Sequence, residues 1–244
     1  FENGERLRPK DAILLRDVGI ETVEVYEPFS AGILATGTEI HEGRSADLDS
    51  PMLGGLVRSW GGVATTEGTV PDEYDRVERR IADLAATHDV VITTGGTSVG
   101  QKDYVVRALD ALGDVSFHGV EVRPGRPIAV ADLPNHDAIA VAIPGKPVGA
   151  HTVSTVILRP FFVGDASFPT VDAELARDVE VGREGFEYAV PVTLSDGVAM
   201  PLGHVDSPLR IWAQTFNSSV MSSSTRATRA DGFFFLSEDV TAGE

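Results

Sequence analysis

Carboxylates and a few cations recur at the glycine- and proline-rich turns of this 244-residue chain. Thr36, Gly37 and Thr38 lead to Glu39, Asp47 and Asp49 follow within ten residues, and Asp72 comes directly after Pro71. Thr94, Gly95, Gly96, Thr97, Ser98, Val99 and Gly100 lead to Lys102 and Asp103. Arg123 and Arg126 flank Pro124 and Gly125, and Pro144, Gly145, Lys146 and Pro147 make a fifth such turn. Adjacent glycines let the backbone bend sharply and leave its N–H groups uncovered, so the 94–100 stretch with its hydroxyls suits a phosphate or another oxyanion. Arginine forks grip such anions at two points, and flanking prolines reduce the ordering entropy lost on binding. The acids are acceptors for a hard cation such as Mg²⁺, which takes one or two carboxylates and leaves the rest to water and substrate oxygens.

Several of these residues also have a plainer reading. Asp103 precedes an apolar stripe and is a natural helix N-cap, and Asp49 and Asp72 fit a helix start as well as a binding role. A lone arginine can simply be an exposed charge on an acidic surface. The lysines resist that explanation, because Lys10, Lys102 and Lys146 are the only three and two of them lie in glycine-bearing loops. Glu39 follows a strand end and opens no obvious helix. The six histidines show no paired ligand spacing, and the absence of cysteine removes disulfides, thiolate catalysis and cysteine-bound metal. No Ser-His-Asp, Walker or G-x-G-x-x-G pattern occurs.

The elements that must carry these turns alternate strand and helix from 30 to 160. Apolar runs at 31–36 and 89–94 read as buried strands, and stripes after Ser50, Asp72, Asp103 and Pro147 read as helices. Residues 63–70, 115–122, 127–131 and 138–143 read as further strands. The pattern predicts an α/β fold: a three-layer α/β/α domain with a mostly parallel sheet over 29–165. Its loops should gather at the carboxyl edge of that sheet. Beyond Pro160, period-two runs around 179–181, 188–194 and 198–202, the last two joined at Ser195, Asp196 and Gly197, predict a small all-β domain over 166–244. Residues 1–28, which start at Phe1, read as a lead-in from preceding domains.

A formal net charge of −17, from 37 acidic and 20 basic residues, argues against nucleic acid or an anionic membrane as partner. Acid-rich, lysine-poor composition suggests a salty cytoplasm, where ions screen self-repulsion. No apolar run approaches the roughly 18 residues needed to span a bilayer, and a cytoplasmic location is expected.

Five ordered stretches resemble the molybdopterin molybdenumtransferases, the MoeA family that includes the E domain of gephyrin. Thr36 to Glu39 resembles a Thr-Gly-Asp-Glu motif, and Gly43 to Asp49 resembles Gly-x-Ile-x-Asp-x-Asn. Thr94 to Gly100 with Asp103 and Tyr104 resembles Ser-Gly-Gly-Val-Ser-Val-Gly with its downstream Asp-Tyr. Arg123 to Pro127 resembles Lys-Pro-Gly-Lys-Pro, and Pro144 to Pro147 resembles the end of Leu-Pro-Gly-Asn-Pro. The resemblance implies a molybdopterin-binding domain that takes adenylated molybdopterin and molybdate as substrates with Mg²⁺, inserts the metal and releases AMP. It implies catalytic roles for Glu39, Asp72 and Asp103, metal binding by Glu39 and Asp103, and a homodimer in which an N-terminal domain completes the site. Arg123 and Arg126 fall on oxyanion-gripping lysines, and Ser207 and Asn217 on polar residues of the C-terminal domain. This chain departs from the pattern at Thr38 for Asp, Asp49 for Asn and Lys146 for Asn. Alternatives are the adenylyltransferase of the same pathway, a competence-damage-type nucleotide hydrolase and a non-catalytic molybdopterin-binding scaffold.

Overall fold

The computed structural model describes residues 1–2, 4–97, 103–164, 167–181, 185–203, 221, 225–241 and 243. The expectations for Ser98, Val99, Gly100, Lys102, Ser207 and Asn217 lie outside the described residues.

After a short helix α1 (Asp11–Asp17), strand β1 (Ser30–Thr36) begins the main sheet. A one-turn helix α2 (Thr38–His41) and α3 (Asp49–Ser59) lead to β2 (Val63–Val70), then α4 (Tyr74–Ala85), β3 (Val90–Thr94) and α5 (Tyr104–Leu112). Strands β4 (Asp114–His118), β5 (Val122–Arg123), β6 (Ala129–Leu133) and β7 (Ala138–Ile143) precede α6 (Pro147–Val153). The six-stranded order is β2-β1-β3-β7-β6-β4. β2, β1, β3 and β7 run parallel, β6 pairs antiparallel with β7, and β4 at the edge pairs antiparallel with β6.

The continuous apolar runs become central strands because both sheet faces are covered. Leu34 and Val91 pack with Val77, Ile81, Val105 and Leu109 of α4 and α5. Their strand neighbours Ile33, Val90 and Ile92 point the other way, onto Leu53, Val57, Ala150 and Val153 of α3 and α6. The alternation produces the expected three layers.

Two local expectations change. The single strand expected over 115–122 ends at His118, because Gly119 turns with φ 89° and the chain leaves the sheet. Its continuation, β5, pairs instead with β9 (Glu187–Ser195). The helix from Pro147 also runs on, through a π turn (Ser154–Leu158) into α7 (Arg159–Val163). Pro160 lacks the N–H that would close on the preceding turn, and the helix widens just before it.

The second sheet contains β8 (Glu174–Leu175), β9, β10 (Val198–Pro201) and β11 (Gly232–Leu236), in the order β11-β9-β10-β8. The β9–β10 hairpin turns at Asp196 and Gly197, both with positive φ, as its sequence predicts. A 3₁₀ turn (Thr225–Arg229) precedes β11. Tyr188, Val190, Leu202, Met221 and Ala227 form its core with Val148 of α6. Tertiary contact therefore joins the second sheet to the first at β5 and at α6.

Candidate functional site

Strand order reverses between β1 and β3, since β2 lies on one flank of β1 and the chain returns on the other. At such a point the loops after the two strands diverge and leave a crevice at their carboxyl ends. The loops after β2 and β7 open on the same edge. The turn that carries Arg123 and Arg126 precedes β6, yet it reaches this edge because β6 is antiparallel to β7.

Backbone bonds lace the edge together. Gly37 N donates to Val70 O at 3.1 Å, Gly95 N donates to Ile143 O at 3.1 Å, and the Thr36 hydroxyl donates to Thr94 O at 3.1 Å. Gly95 sits at φ 89°, where an added Cβ would lie 2.6 Å from Thr36 O. A Cβ on Gly145 would stand 2.9 Å from Gly95 Cα. Glycine is required at both positions because the two turns touch backbone to backbone.

Between the loops lies a cleft of about 600 Å³, well within the range for small-molecule sites. Its walls include Thr36, Gly37, Glu39, Asp47, Asp49 and Asp72 on one side. Gly95, Gly96 and Thr97 form its glycine turn, and Arg123, Arg126, Pro144, Gly145, Lys146 and Pro147 complete it. Glu39, Arg126 and Lys146 are exposed, while Asp49 and Thr97 are buried.

The acids separate into distinct roles. Glu39 lies in the first turn of α2, so the expectation that it opens no helix is corrected; Thr38 to His41 closes one turn. Asp72 does not cap α4, whose N-cap is Glu73 without a side-chain bond. It is drawn instead to Thr38: Thr38 N donates to Asp72 Oδ2 at 3.2 Å, and Asp72 N donates to the Thr38 hydroxyl at 3.1 Å. That reciprocal clip occupies the Thr38 side chain, which does not line the cleft. Asp47 accepts from Ser50 N at 3.0 Å, the bond that caps the start of α3. Asp49 Oδ2 accepts from the Thr94 hydroxyl at 2.8 Å.

Asp103 stands apart. It caps α5, with Oδ1 accepting from Val106 N at 3.2 Å, and Oδ2 lies 3.6 Å from His118 Nε2. Burial pushes its carboxyl up, against the downward pull of the Val106 N–H and His118. Asp103 is 6% exposed and does not line the cleft. Asp103, expected with Glu39 as a metal ligand, thus lies outside the lining of the cleft that Glu39 borders, with its carboxyl engaged by the α5 cap and His118. Among the described residues no group of three or more His, Asp or Glu side chains is disposed to hold a metal ion.

The cations receive an unexpected support. The Arg123 guanidinium lies 4.1 Å from the ring centre of Phe186, and that of Arg126 lies 5.8 Å from the same ring. Val122↔Glu187 and Arg123↔Tyr188 are the register pairs of β5 on β9, so strand pairing delivers Phe186 to the arginines. Neither arginine forms an ion pair with a carboxylate among the described residues.

Residues 32–163 match the family model described as "Probable molybdopterin binding domain". The chain belongs to that molybdopterin-binding family. Within it, the relatives place the chain with the MoeA proteins. The molybdopterin molybdenumtransferases of Haemophilus influenzae and Synechococcus elongatus are each 30% identical, over 66% of this chain and 41% and 42% of their own lengths. A Methanocaldococcus jannaschii relative is 27% identical and matches the whole chain over 60% of its own length. The molybdopterin biosynthesis MoeA protein of Pyrococcus horikosii has the same fold, with a TM-score of 0.78 at 24% identity, covering all of this chain and 59% of that one. The chain thus spans about two fifths to three fifths of the relatives it matches. In this molybdopterin-binding protein the cleft also uses Ile40, Ala46 and Leu48, and Phe186 braces its arginines, none of which sequence reasoning selected. A bulky residue in the α2–α3 loop could have flagged Leu48; Phe186 carries no local signal, since only the β5–β9 pairing brings it near.

Proposed function

We propose that this chain carries the substrate-binding part of a molybdopterin molybdenumtransferase, in which adenylated molybdopterin and molybdate meet in the cleft, the metal enters the dithiolene and AMP is released. The observation that carries this reading is the meeting of Arg123, Arg126 and Lys146 with the 95–97 glycine turn and the acids Glu39 and Asp72 around one cleft. A protein of net charge −17 repels anions at long range, so a local cationic cluster is what an anionic substrate needs.

The backbone N–H groups at 96–97 and the Arg123 and Arg126 forks receive phosphate and molybdate oxygens, with Lys146 as a third positive charge. Glu39, exposed at the cleft, is the carboxylate placed to hold Mg²⁺ with ligand oxygens and water, as this cation prefers. Bound Mg²⁺ would supply charge neutralisation at the phosphates. Asp72 fixes the Thr38–Glu39 turn from below through its clip to Thr38, so its catalytic contribution is to position Glu39. Asp103 enters as the cap of the helix that follows the glycine loop. The chain works in the cytoplasm within a homodimer whose further domains complete the site. Among the described residues, no helix is long and apolar enough to cross a membrane.

AMP release from adenylated molybdopterin, measured in molar salt with Mg²⁺ before and after molybdate is added, tests the proposal. Molybdate-dependent release is the expected outcome, and it should fall on replacing Glu39 with Gln. Tight binding without release would assign the missing chemistry to the rest of the protein, and no binding would leave a scaffold.

A further inference from the structure

Between α6 and the second sheet lies a second cavity, of about 220 Å³. It shares no described residue with the cleft, although Val148, which lines it, and Gly149, which lines the cleft, are neighbours on α6. The cavity originates in the alternation of β9. Tyr188 and Val190 point into the second-sheet core, so Ala189 and Pro191 take the opposite face, and the register pair Pro191↔Phe233 puts Phe233 there too. Alanine and proline leave room that larger residues would fill. The helix side supplies Thr155 and Val156 from the π turn, a widened turn of the kind that recurs at functional sites. The Phe233 ring meets Phe168 at 5.7 Å and Phe235 at 5.4 Å, both edge-on, which fixes an aromatic wall.

Floor and rim differ in chemistry. Val148, Thr152, Ala189, Pro191 and Ala227 are buried, whereas His151, Thr228 and Asp231 are exposed. No lysine or arginine is among the described lining residues, so an oxyanion finds no counter-charge here. The polar groups are turned to acceptance. The Thr152 hydroxyl donates to Val148 O at 2.8 Å and the Thr228 hydroxyl to Thr225 O at 2.7 Å, and each has then spent its only hydrogen. The Asp231 carboxylate accepts only, and its Oδ2 already takes Leu194 N at 2.9 Å. His151 makes no hydrogen bond or ion pair among the described residues. Partial burial of its ring lowers its pKa, so at pH 7 the imidazole is neutral and offers one free lone pair. An apolar cavity of roughly 150 Å³ stays dry and takes a benzene ring, so the space here suits one ring or two fused rings.

We propose that this cavity binds a small uncharged aromatic molecule of one or two fused rings with a single N–H or O–H donor, the ring seated on the apolar floor beside Phe233 and the donor reaching the His151 imidazole at the rim. Ring burial supplies the affinity, and the acceptor-rich rim supplies the selectivity. The site stands apart from the transferase reading and does not depend on it.

Indole and benzofuran share a shape, and only indole carries a donor. Each is titrated into the whole chain at pH 7 while amide and imidazole NMR signals are followed. Saturable shifts of the His151 ring and the Gly232 amide are expected, with benzofuran about 3- to 10-fold weaker, the value of one hydrogen bond. His151→Phe keeps a ring and removes the acceptor, so it should bring indole down to the benzofuran level. Ala189→Leu fills the floor from the sheet side and Val156→Phe from the helix side; whichever variant melts cooperatively should lose indole binding. Equal affinities for the two probes in the wild type, a donor preference that survives His151→Phe, or unchanged indole binding in a folded filling variant would each overturn the assignment. Indole shifts centred on the cleft turns, or no saturable shift at all, would overturn it too.

Discussion

Asp89 shows how a single side chain secures the frame under the cleft. Its Oδ2 accepts both from Ser30 N at 2.6 Å and from the Ser30 hydroxyl at 2.7 Å, tying the start of β1 to the start of β3. The Ser30 N–H, then its hydroxyl, hold the Asp89 carboxyl below its usual range. A depressed folded pKa means that the stabilisation is present above the ordinary Asp value and is lost as pH falls through the folded one. Asp89→Asn should therefore lower stability near neutral pH by about 1 kcal/mol, discounted for the exposed position. The deficit should close in acid, and thermal melts of both proteins between about pH 3 and 7 read it. A deficit that stays constant with pH would mean that the charge plays no part.

Phe186 matters at the same scale. Two guanidinium groups near one ring are individually modest interactions, roughly 0.5 to 2 kcal/mol each, but they hold like charges close enough to share one anion. Replacement by Ala should weaken binding of inorganic sulfate by roughly 2- to 30-fold, and Phe186→Tyr should restore most of it. Phe186→Leu keeps apolar bulk without the ring face. Normal sulfate affinity in the Leu variant would show that packing alone sets the arginines.

Among the elements, the turn after β3 and the first turns of α3 set the geometry of the site. Gly95 combines φ 89° with a backbone oxygen 2.6 Å from any added Cβ, so Gly95→Ala should destabilise the fold by about 1–3 kcal/mol. Gly55 lies on the exposed side of α3 with open space where a Cβ would go. There Ala should stabilise by about 0.5–1 kcal/mol, because helical glycine loses more backbone freedom on folding. Denaturant midpoints of the two variants should thus move in opposite directions. A matched loss would show that α3 needs Gly55 for a reason outside helix propensity.

For the molecule as a whole, charge is the dominant feature. With a formal charge of −17 over 244 residues, the folded state concentrates repulsion that added salt screens. We propose that the chain is adapted to high ionic strength, so its melting temperature should climb steadily from low to molar KCl, with unfolding on dilution into low salt. A melting temperature insensitive to KCl would refute that adaptation.

Strand and helix periodicity, the glycine turns and the order of five motifs were legible along the chain, because each is a local matter of backbone freedom and burial. Those features fixed the α/β class and the family. The sequence also showed that charged residues sit at loop tips, but not which loops meet, and Asp72 and Phe186 could not be assigned from spacing. Asp72 and Asp103 both look like helix caps in isolation; Asp103 is one, at the start of α5, whereas the fold gives Asp72 the Thr38 turn as a closer partner. Tertiary structure alone decided that antiparallel β6 carries the arginine turn to the shared edge. It also decided that β5 leaves one sheet for another, since strand pairing between segments some 65 residues apart depends on packing that no local pattern records.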